Sequence, residues 1–254
     1  MNDSNLMPVV LVTGAGSPRV GNCIARTMAA AGYRVAVHAL TSIDGARQTA
    51  IELTAAGQPA IAVQADLREE DQVQGMIAQV ARQFGRIDAL VNSAAIWESK
   101  LLEEVTADDV RRHFEANTLG TFLCCQHVGR LMVGQDSGGA IVNIGDWAIV
   151  RPYCEYAAYF PSKGSIPTMT RAFAVELARR NPRVRVNAVL PGPVMLPDDM
   201  PPDERRQAIA GTLVKREGTP NNVADAVRFL IENDFITGVC LPVDGGRTVH
   251  SDQQ

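Results

Sequence analysis

Seven short runs of β-branched and other apolar residues, separated by longer segments, constrain the fold of this sequence more than any other feature. The runs cover residues 9–13, 34–38, 60–64, 89–92, 140–144, 183–189 and 239–243. None shows polar alternation, which is typical of strands buried on both faces of a parallel sheet. The segments between them are long enough for crossover helices. The sequence therefore predicts an α/β fold: one doubly wound parallel sheet of about seven strands with helices on both faces.

Composition limits the classes of function. The 254 residues are 46% hydrophobic with no break in composition, which predicts a single domain over residues 1–254. A net charge of −4 and scattered basic residues argue against nucleic acid as the main partner. Five cysteines without CxxC spacing predict free thiols and no metal site. Without a long apolar stretch or a basic, apolar start, we expect a cytoplasmic protein with no membrane segment.

A glycine-rich segment, TGAGSPRVG at residues 13–21, follows the first run and precedes a helix-like segment. Glycines at such a turn let the backbone approach a pyrophosphate, and the following helix offers unpaired N–H groups to it. This placement predicts the dinucleotide-binding turn of a Rossmann-type fold, and the alternative is a turn with only a structural role.

The second run ends without an acidic residue, which bears on the choice of cofactor. NAD-binding sheets of this type usually place a carboxylate there to bind the ribose 2′-hydroxyl. Here residues 39–42 are ALTS, and Arg19 in the glycine loop together with Thr41 and Ser42 suits a 2′-phosphate. NADPH is therefore favoured over NADH, with a merely solvated Arg19 as the alternative.

Tyr159 and Lys163 have the i, i+4 spacing that brings two side chains onto one face of a helix. An ammonium group beside a phenol stabilises phenolate and lowers the tyrosine pKa. Two prolines fall in this helix. Pro161 is tolerated in a first turn, whereas Pro167 removes the bond to the Lys163 carbonyl and predicts a kink or a restart of the helix.

Together these motifs resemble the short-chain dehydrogenase/reductase family over nearly the whole chain. The resemblance implies that Asp66 contacts adenine, that Asn117 bends its helix and holds a water linking Lys163 to solvent, and that Tyr159 and Lys163 form the catalytic pair. It also implies that PVDGG at residues 242–246 belongs to a homotetramer interface. The cofactor contacts implied by the family's motifs, in addition to Arg19, Thr41, Ser42, Asp66, Tyr159 and Lys163, are Gly14, Ser17, Val20, Leu40, Leu67, Asn92, Ala94, Pro191, Gly192 and Val194.

Asp146 departs from the family pattern, since most members have a serine whose hydroxyl donates to the substrate carbonyl. An ionised carboxylate has no donor, so Asp146 suits a substrate that brings N–H groups or needs protonation at nitrogen. The pteridine and dihydromonapterin reductases resemble this pattern, with an arginine in the glycine loop, matched by Arg19, and an aromatic residue that stacks on the pterin, matched by Trp97. The alternatives are a loop-capping Asp146, a core Trp97 and an ordinary helical Asn117.

The sequence thus predicts NADPH-dependent reduction of a pteridine C=N bond, with Tyr159 supplying the proton, Asp146 assisting, and Arg19 serving the cofactor, the substrate or both. The proline-rich segment 191–204 is predicted to be a loop, within a substrate loop or lid over residues 191–215. Two alternatives remain open. One is a carbonyl reductase of the same family, acting on a 3-oxoacyl thioester, a sugar or another ketone with Asp146 protonated; the other is a non-catalytic NADP-binding sensor or scaffold.

Overall fold

The computed structural model of the chain describes residues 7–250. Its sheet contains seven parallel strands in the order β3-β2-β1-β4-β5-β6-β7. The strands are β1 Val9–Val12, β2 Arg34–Ala39, β3 Ala60–Gln64, β4 Ala89–Asn92, β5 Gly139–Ile144, β6 Val184–Pro191 and β7 Cys240–Val243. The predicted fold class is therefore confirmed, and each of the seven apolar runs forms a strand.

Helices cover both faces of this sheet. In chain order they are α1 Val20–Ala30, α2 Ile43–Ala55, α3 Glu70–Phe84, α4 Ala107–His113, α5 Gly120–Val133, α6 Tyr159–Ala178, α7 Pro202–Ala210 and α8 Pro220–Glu232. A six-residue π-helical segment, Phe114–Leu119, joins α4 to α5. Helices α1, α2 and α8 pack on one face and α3, α5 and α6 on the other. Within the described residues, no helix is long and apolar enough to cross a membrane.

Strand β1 shows why the apolar runs lack alternation. Val10 and Val12 join the hydrophobic cluster on one face of the sheet, and Val9 and Leu11 join the cluster on the other. All four side chains have no exposed surface. Since burying each aliphatic side chain contributes about 1.5–3 kcal/mol, a polar residue at any of these positions would be costly.

The strand order places a crevice beside β1. The chain moves outward from β1 to β2 and β3, then returns to β4 on the opposite side of β1. Loops that leave the carboxyl ends of β1 and β4 therefore diverge to opposite faces, which is where ligands bind in open α/β sheets.

Helix α6 does not restart at Pro167, which was one of the two predicted outcomes. The helix is continuous from Tyr159 to Ala178 with Pro167 inside it, and the predicted kink stays a prediction. Ile166, Met169 and Thr170 are buried around the proline, and the Thr170 hydroxyl accepts a hydrogen bond from Asn143 of the sheet at 3.0 Å. Tertiary packing on both sides of the proline therefore outweighs the loss of one helical hydrogen bond.

The proline-rich segment also has more regular structure than predicted. Strand β6 continues through Pro191, and α7 begins at Pro202, so the irregular part of the predicted loop is residues 192–201. Pro202 occupies the first helical turn, where its missing N–H costs nothing and its fixed φ favours the helix. The segment 191–215 thus contains a helix as well as a loop.

Candidate active site

A cavity of about 1250 Å³ lies at the carboxyl ends of the strands. Loops that follow β1 through β6 contribute to its walls, together with residues of α7 and Arg247. The predicted cofactor and substrate residues that line it are Gly14, Ser17, Arg19, Val20, Leu40, Thr41, Ser42, Asp66, Leu67, Ala94, Trp97, Asp146, Tyr159, Lys163, Pro191, Gly192 and Val194. Residues far apart in sequence are therefore brought to one concave surface large enough for a dinucleotide and a second molecule.

The glycine loop has the geometry of an anion-binding turn. Gly14 has a φ of +64°, and a Cβ built there would lie 2.6 Å from the Ala94 Cα, so a side chain at this position would be both strained and obstructed. Helix α1 follows with Arg19 as its N-cap residue, whose side chain makes no capping hydrogen bond. Because the first N–H groups of α1 are left for another acceptor, this donor set suits a diphosphate.

The cavity wall after β2 is formed by Leu40, Thr41 and Ser42, with Arg19 also in the lining. None of residues 39–42 is acidic, so this wall offers hydroxyl donors rather than a carboxylate. A 2′-phosphate is an acceptor of hydrogen bonds and carries negative charge, so it fits these residues better than a ribose hydroxyl does.

Asp66 has a partner that the sequence did not reveal. The Arg68 guanidinium holds its carboxylate through Nε at 2.9 Å and Nη2 at 2.5 Å, and these hydrogen bonds keep the pKa of Asp66 below its usual value. Asp66 lines the cavity as an ion pair with Arg68, which is also part of the lining. The predicted contact of Asp66 with adenine stays a prediction.

Tyr159 and Lys163 lie one turn apart at the start of α6, both buried. The Tyr159 hydroxyl donates to Asp146 Oδ2 at 2.8 Å, while Lys163 Nζ donates to the Ile144 carbonyl at 2.8 Å. Burial and the neighbouring Asp146 carboxylate raise the pKa of Tyr159 well above its usual value. The predicted lowering of the Tyr159 pKa by Lys163 is therefore wrong for this arrangement, because burial and the Asp146 carboxylate both raise that pKa.

Asp146 combines the two roles that the sequence presented as alternatives. Its Oδ1 accepts from the Ala148 N–H at 2.8 Å and caps the short 3-10 turn Trp147–Ile149, while its Oδ2 accepts from Tyr159. Burial raises the pKa of the Asp146 carboxyl. These two hydrogen bonds lower that pKa, but burial has the larger effect. Burial also lowers the pKa of Lys163 to about 8, with the Asp146 charge opposing the shift. The carboxyl is thus held rigidly and biased toward taking up a proton.

Asn117 lies in the π-helical segment and does not line the cavity. Its Oδ1 accepts from the Ile96 N–H at 2.8 Å, and its Nδ2 donates to the Ile96 carbonyl and to Ser162 Oγ, each at 3.0 Å. The amide therefore ties the loop that carries Trp97 to the helix that carries Tyr159. The local departure from α-helix agrees with the predicted bend, and the water expected at Asn117 stays a prediction.

The side chain of Asn92 differs from its predicted place among the cofactor contacts. It is buried beneath the cavity floor, where Nδ2 donates to Asn143 Oδ1 at 2.9 Å and contacts Cys125 Sγ at 3.3 Å. Asn143 in turn donates to Thr170. Asn92 therefore belongs to a polar link between β4, β5 and α6.

A row of aromatic rings forms one wall of the cavity. Trp97 is 40% exposed, so it is not a core residue, and it stacks on Tyr156 with ring centroids 5.0 Å apart and planes 12° apart. Tyr156 meets Tyr153 edge to face at 5.1 Å, and Tyr153 lies 6.5 Å from Trp147. The Arg247 guanidinium covers the Trp147 ring at 4.6 Å.

Sequence reasoning found only Trp97 of this wall. Tyr156 and Tyr153 precede Tyr159 by three and six residues, a spacing that could have placed them near it. No local signal marks Arg247, which reaches the site from the far end of the chain and also donates to the Ala208 carbonyl of α7. Arg247 thereby joins α7 to the turn that Asp146 caps.

Comparison with known proteins gives consistent matches over this chain. A family model described as enoyl-(acyl carrier protein) reductase matches residues 14–248. The human 3-oxoacyl-[acyl-carrier-protein] reductase is 35% identical, over 94% of this chain and 98% of that protein. The Synechocystis reductase of the same description is 37% identical, over 94% and 96%. A crystal structure of a putative short-chain alcohol dehydrogenase from Sinorhizobium meliloti superposes with a TM-score of 0.89 at 30% identity, covering 96% of this chain and 97% of that one.

Proposed function

The chain belongs to the short-chain dehydrogenase/reductase family and is an oxidoreductase, and we propose that it uses NADPH to reduce a C=N bond of a pteridine. One observation carries the choice of substrate. A buried carboxylate, Asp146, accepts the Tyr159 hydrogen bond at 2.8 Å, at the position where most members of the family have a serine. Such a group suits a substrate that brings N–H donors to an ionised carboxylate, or one that needs protonation at nitrogen when the carboxyl holds a proton.

The chemistry of the reduction requires one proton for each turnover. A hydride adds to the carbon of the C=N bond and a proton adds to its nitrogen. Tyr159 donates its hydroxyl proton to the nitrogen, and Asp146, after it has taken up a proton from solvent, donates that proton to the Tyr159 oxygen with their hydrogen bond reversed. The raised pKa of Asp146 favours this, because it increases the fraction of the carboxyl that holds a proton.

The cofactor residues follow from the lining of the cavity. NADPH, when bound, supplies the hydride. The glycine loop and the start of α1 bind its diphosphate, and Arg19, Thr41 and Ser42 bind its 2′-phosphate. Lys163, whose ammonium is held by the Ile144 carbonyl, provides a positive charge below the reacting groups.

The aromatic wall supports a flat substrate. Trp97 and the rings beside it present π faces and edges to the cavity, and stacking on an aromatic platform contributes about 1–3 kcal/mol for a nucleic acid base. A bicyclic pteridine has similar size and polarity. We expect Arg19, which lines the cavity, to contact this substrate as well, as a resemblance to pteridine reductases implies.

A second candidate is reduction of a 3-oxoacyl thioester. It is favoured by the human and Synechocystis relatives, which are described as 3-oxoacyl-[acyl-carrier-protein] reductases. In that reaction, Asp146 must be protonated to donate to the carbonyl oxygen, since an ionised carboxylate would repel it.

Further parts of the proposal concern architecture. Residues 191–215, which form part of the cavity wall through the 192–201 loop and α7, act as a substrate lid. The chain works as one domain in the cytoplasm and assembles as a homotetramer through the end that contains residues 242–246, as the family resemblance implies.

The test is a substrate panel with the purified protein. NADPH oxidation is followed with dihydrobiopterin, dihydromonapterin, dihydrofolate and an acetoacetyl thioester, and each assay is repeated with NADH. We expect turnover of at least one pterin with NADPH and little or none of the thioester. Turnover of the thioester alone would select the second candidate, and tight NADPH binding without turnover would indicate a sensor.

A further inference from the structure

His38 makes an unusual set of contacts at the end of β2. Its side chain is 1% exposed and lines the cavity. The Gly14 N–H donates to His38 Nδ1 at 3.1 Å, and His38 Nε2 lies 3.0 Å from the Ala65 carbonyl oxygen. The His38 carbonyl also accepts from the Ala15 N–H at 2.8 Å.

These partners assign the tautomer of the ring. A backbone N–H can only donate and a carbonyl can only accept, so Nδ1 is bare and Nε2 carries the hydrogen. The neutral imidazole satisfies both partners, whereas the imidazolium would present a hydrogen to the Gly14 N–H. Burial lowers the pKa of His38 and so favours the neutral form. The nearby Asp66 charge raises this pKa and opposes the shift.

The two contacts join separate parts of the cofactor site. Gly14 begins the glycine loop in a left-handed conformation, and Ala65 immediately precedes Asp66 in the turn after β3. We propose that His38 is a positioning residue for the dinucleotide: it is a brace whose Nδ1 holds the glycine loop, while its Nε2 contact with the turn after β3 orients the ring. Without the ring, a buried N–H and a buried carbonyl lose their partners, and the loop is free to move from the conformation that presents its amides to the diphosphate.

This inference depends on dinucleotide binding by the family fold and is independent of the proposed pteridine substrate. Because the brace acts on the diphosphate loop, its loss should weaken NADPH and NADH binding by the same factor. A residue that binds the 2′-phosphate would affect NADPH alone. The ratio of the two losses therefore separates His38 from Arg19.

The test compares three substitutions that restore different halves of the brace. In His38→Asn, Oδ1 takes the place of Nδ1 and can accept from Gly14. In His38→Gln, Nε2 takes the place of the imidazole Nε2–H and can donate to Ala65, while His38→Leu restores neither. His127→Gln is the matched control, since His127 lies on α5 and contacts Glu70 at 2.9 Å, outside the cavity lining.

Dissociation constants of NADPH and NADH are measured by tryptophan fluorescence, with thermal unfolding as a check on folding. We expect His38→Leu and His38→Gln to weaken both cofactors by at least about fivefold, and His38→Asn to stay within about threefold of wild type. Wild-type binding by His38→Gln or His38→Leu would overturn the proposal, as would an Asn variant as weak as Leu or a loss confined to NADPH. If the Leu variant does not fold, the contrast between Asn and Gln decides.

Discussion

Asp146 and Tyr159 share one hydrogen bond. When Asp146 is ionised, the Tyr159 hydroxyl donates to Asp146 Oδ2 at 2.8 Å. Burial works against this state by raising the pKa of the carboxyl. The pair can therefore take up a proton from solvent and still keep its geometry, because Ala148 holds the other carboxyl oxygen.

A pH dependence follows from the raised pKa of Asp146. As pH falls from about 7 to 5, below the pKa of about 8 of Lys163, a growing fraction of the Asp146 carboxyl becomes protonated, so kcat for pterin reduction should rise in wild type. In Asp146→Asn the group no longer titrates, and we expect a flat profile over the same range at a lower rate. An identical rise in the variant would show that another group controls the rate.

At the scale of elements, the π-helical segment Phe114–Leu119 connects two parts of the site. Its extra residue per turn turns Asn117 inward, where the amide meets both backbone groups of Ile96 and the Ser162 hydroxyl of α6. Departures of this kind from α-helix are frequent at functional sites because they redirect one side chain. Here the redirected side chain holds the loop that contains Trp97 in place.

Removal of this amide should destabilise the fold measurably. Asn117→Ala leaves the Ile96 N–H and carbonyl without their partner, so we expect the free energy of unfolding to fall by about 2 kcal/mol or more. Urea denaturation measures this free energy of unfolding. The control is Gln48→Ala at an exposed position, which we expect to change the free energy of unfolding by less than about 0.5 kcal/mol. Equal stability of the two variants would contradict the linking role of Asn117.

At the scale of the whole molecule, the sheet brings a basic loop and a polar wall to one end of the cavity. Arg19, Thr41 and Ser42 come from two different crossover connections and meet only because β1 and β2 are neighbours. This arrangement predicts the preference for NADPH. Arg19→Gln should raise the KM for NADPH by about tenfold and leave that for NADH within about twofold. Similar increases in KM for NADPH and NADH would show that Arg19 does not bind the 2′-phosphate.

The sequence predicted the fold because buried parallel strands have a local signature. The seven apolar runs needed no knowledge of tertiary contacts, and the glycine loop was recognised by its position after the first of them. The features that the sequence did not predict depend on contacts with residues far away in the chain. Pro167 stays within α6 because the sheet packs against it, Asn92 points its amide into the core, and Arg247 reaches the cavity from near the chain end.

The pKa of Tyr159 could not be predicted for a related reason. Tyr159 and Lys163 lie one helical turn apart as predicted, but the sign of the pKa shift depends first on burial and then on the Asp146 carboxylate, which the turn after β5 brings to Tyr159. Spacing along a helix gives proximity between two residues of that helix. It carries no information about a third residue that arrives from another element.

The most direct test of the proposed function exchanges the carboxyl for the family's usual hydroxyl. NADPH oxidation is measured for wild type and Asp146→Ser with the best pterin and with an acetoacetyl thioester, alongside NADPH binding to show that the cofactor site is intact. We expect pterin turnover to fall by about 100-fold or more in the variant, with thioester turnover unchanged or increased. Unchanged pterin turnover, or thioester reduction by wild type that improves with serine, would contradict the claim that Asp146 selects the substrate.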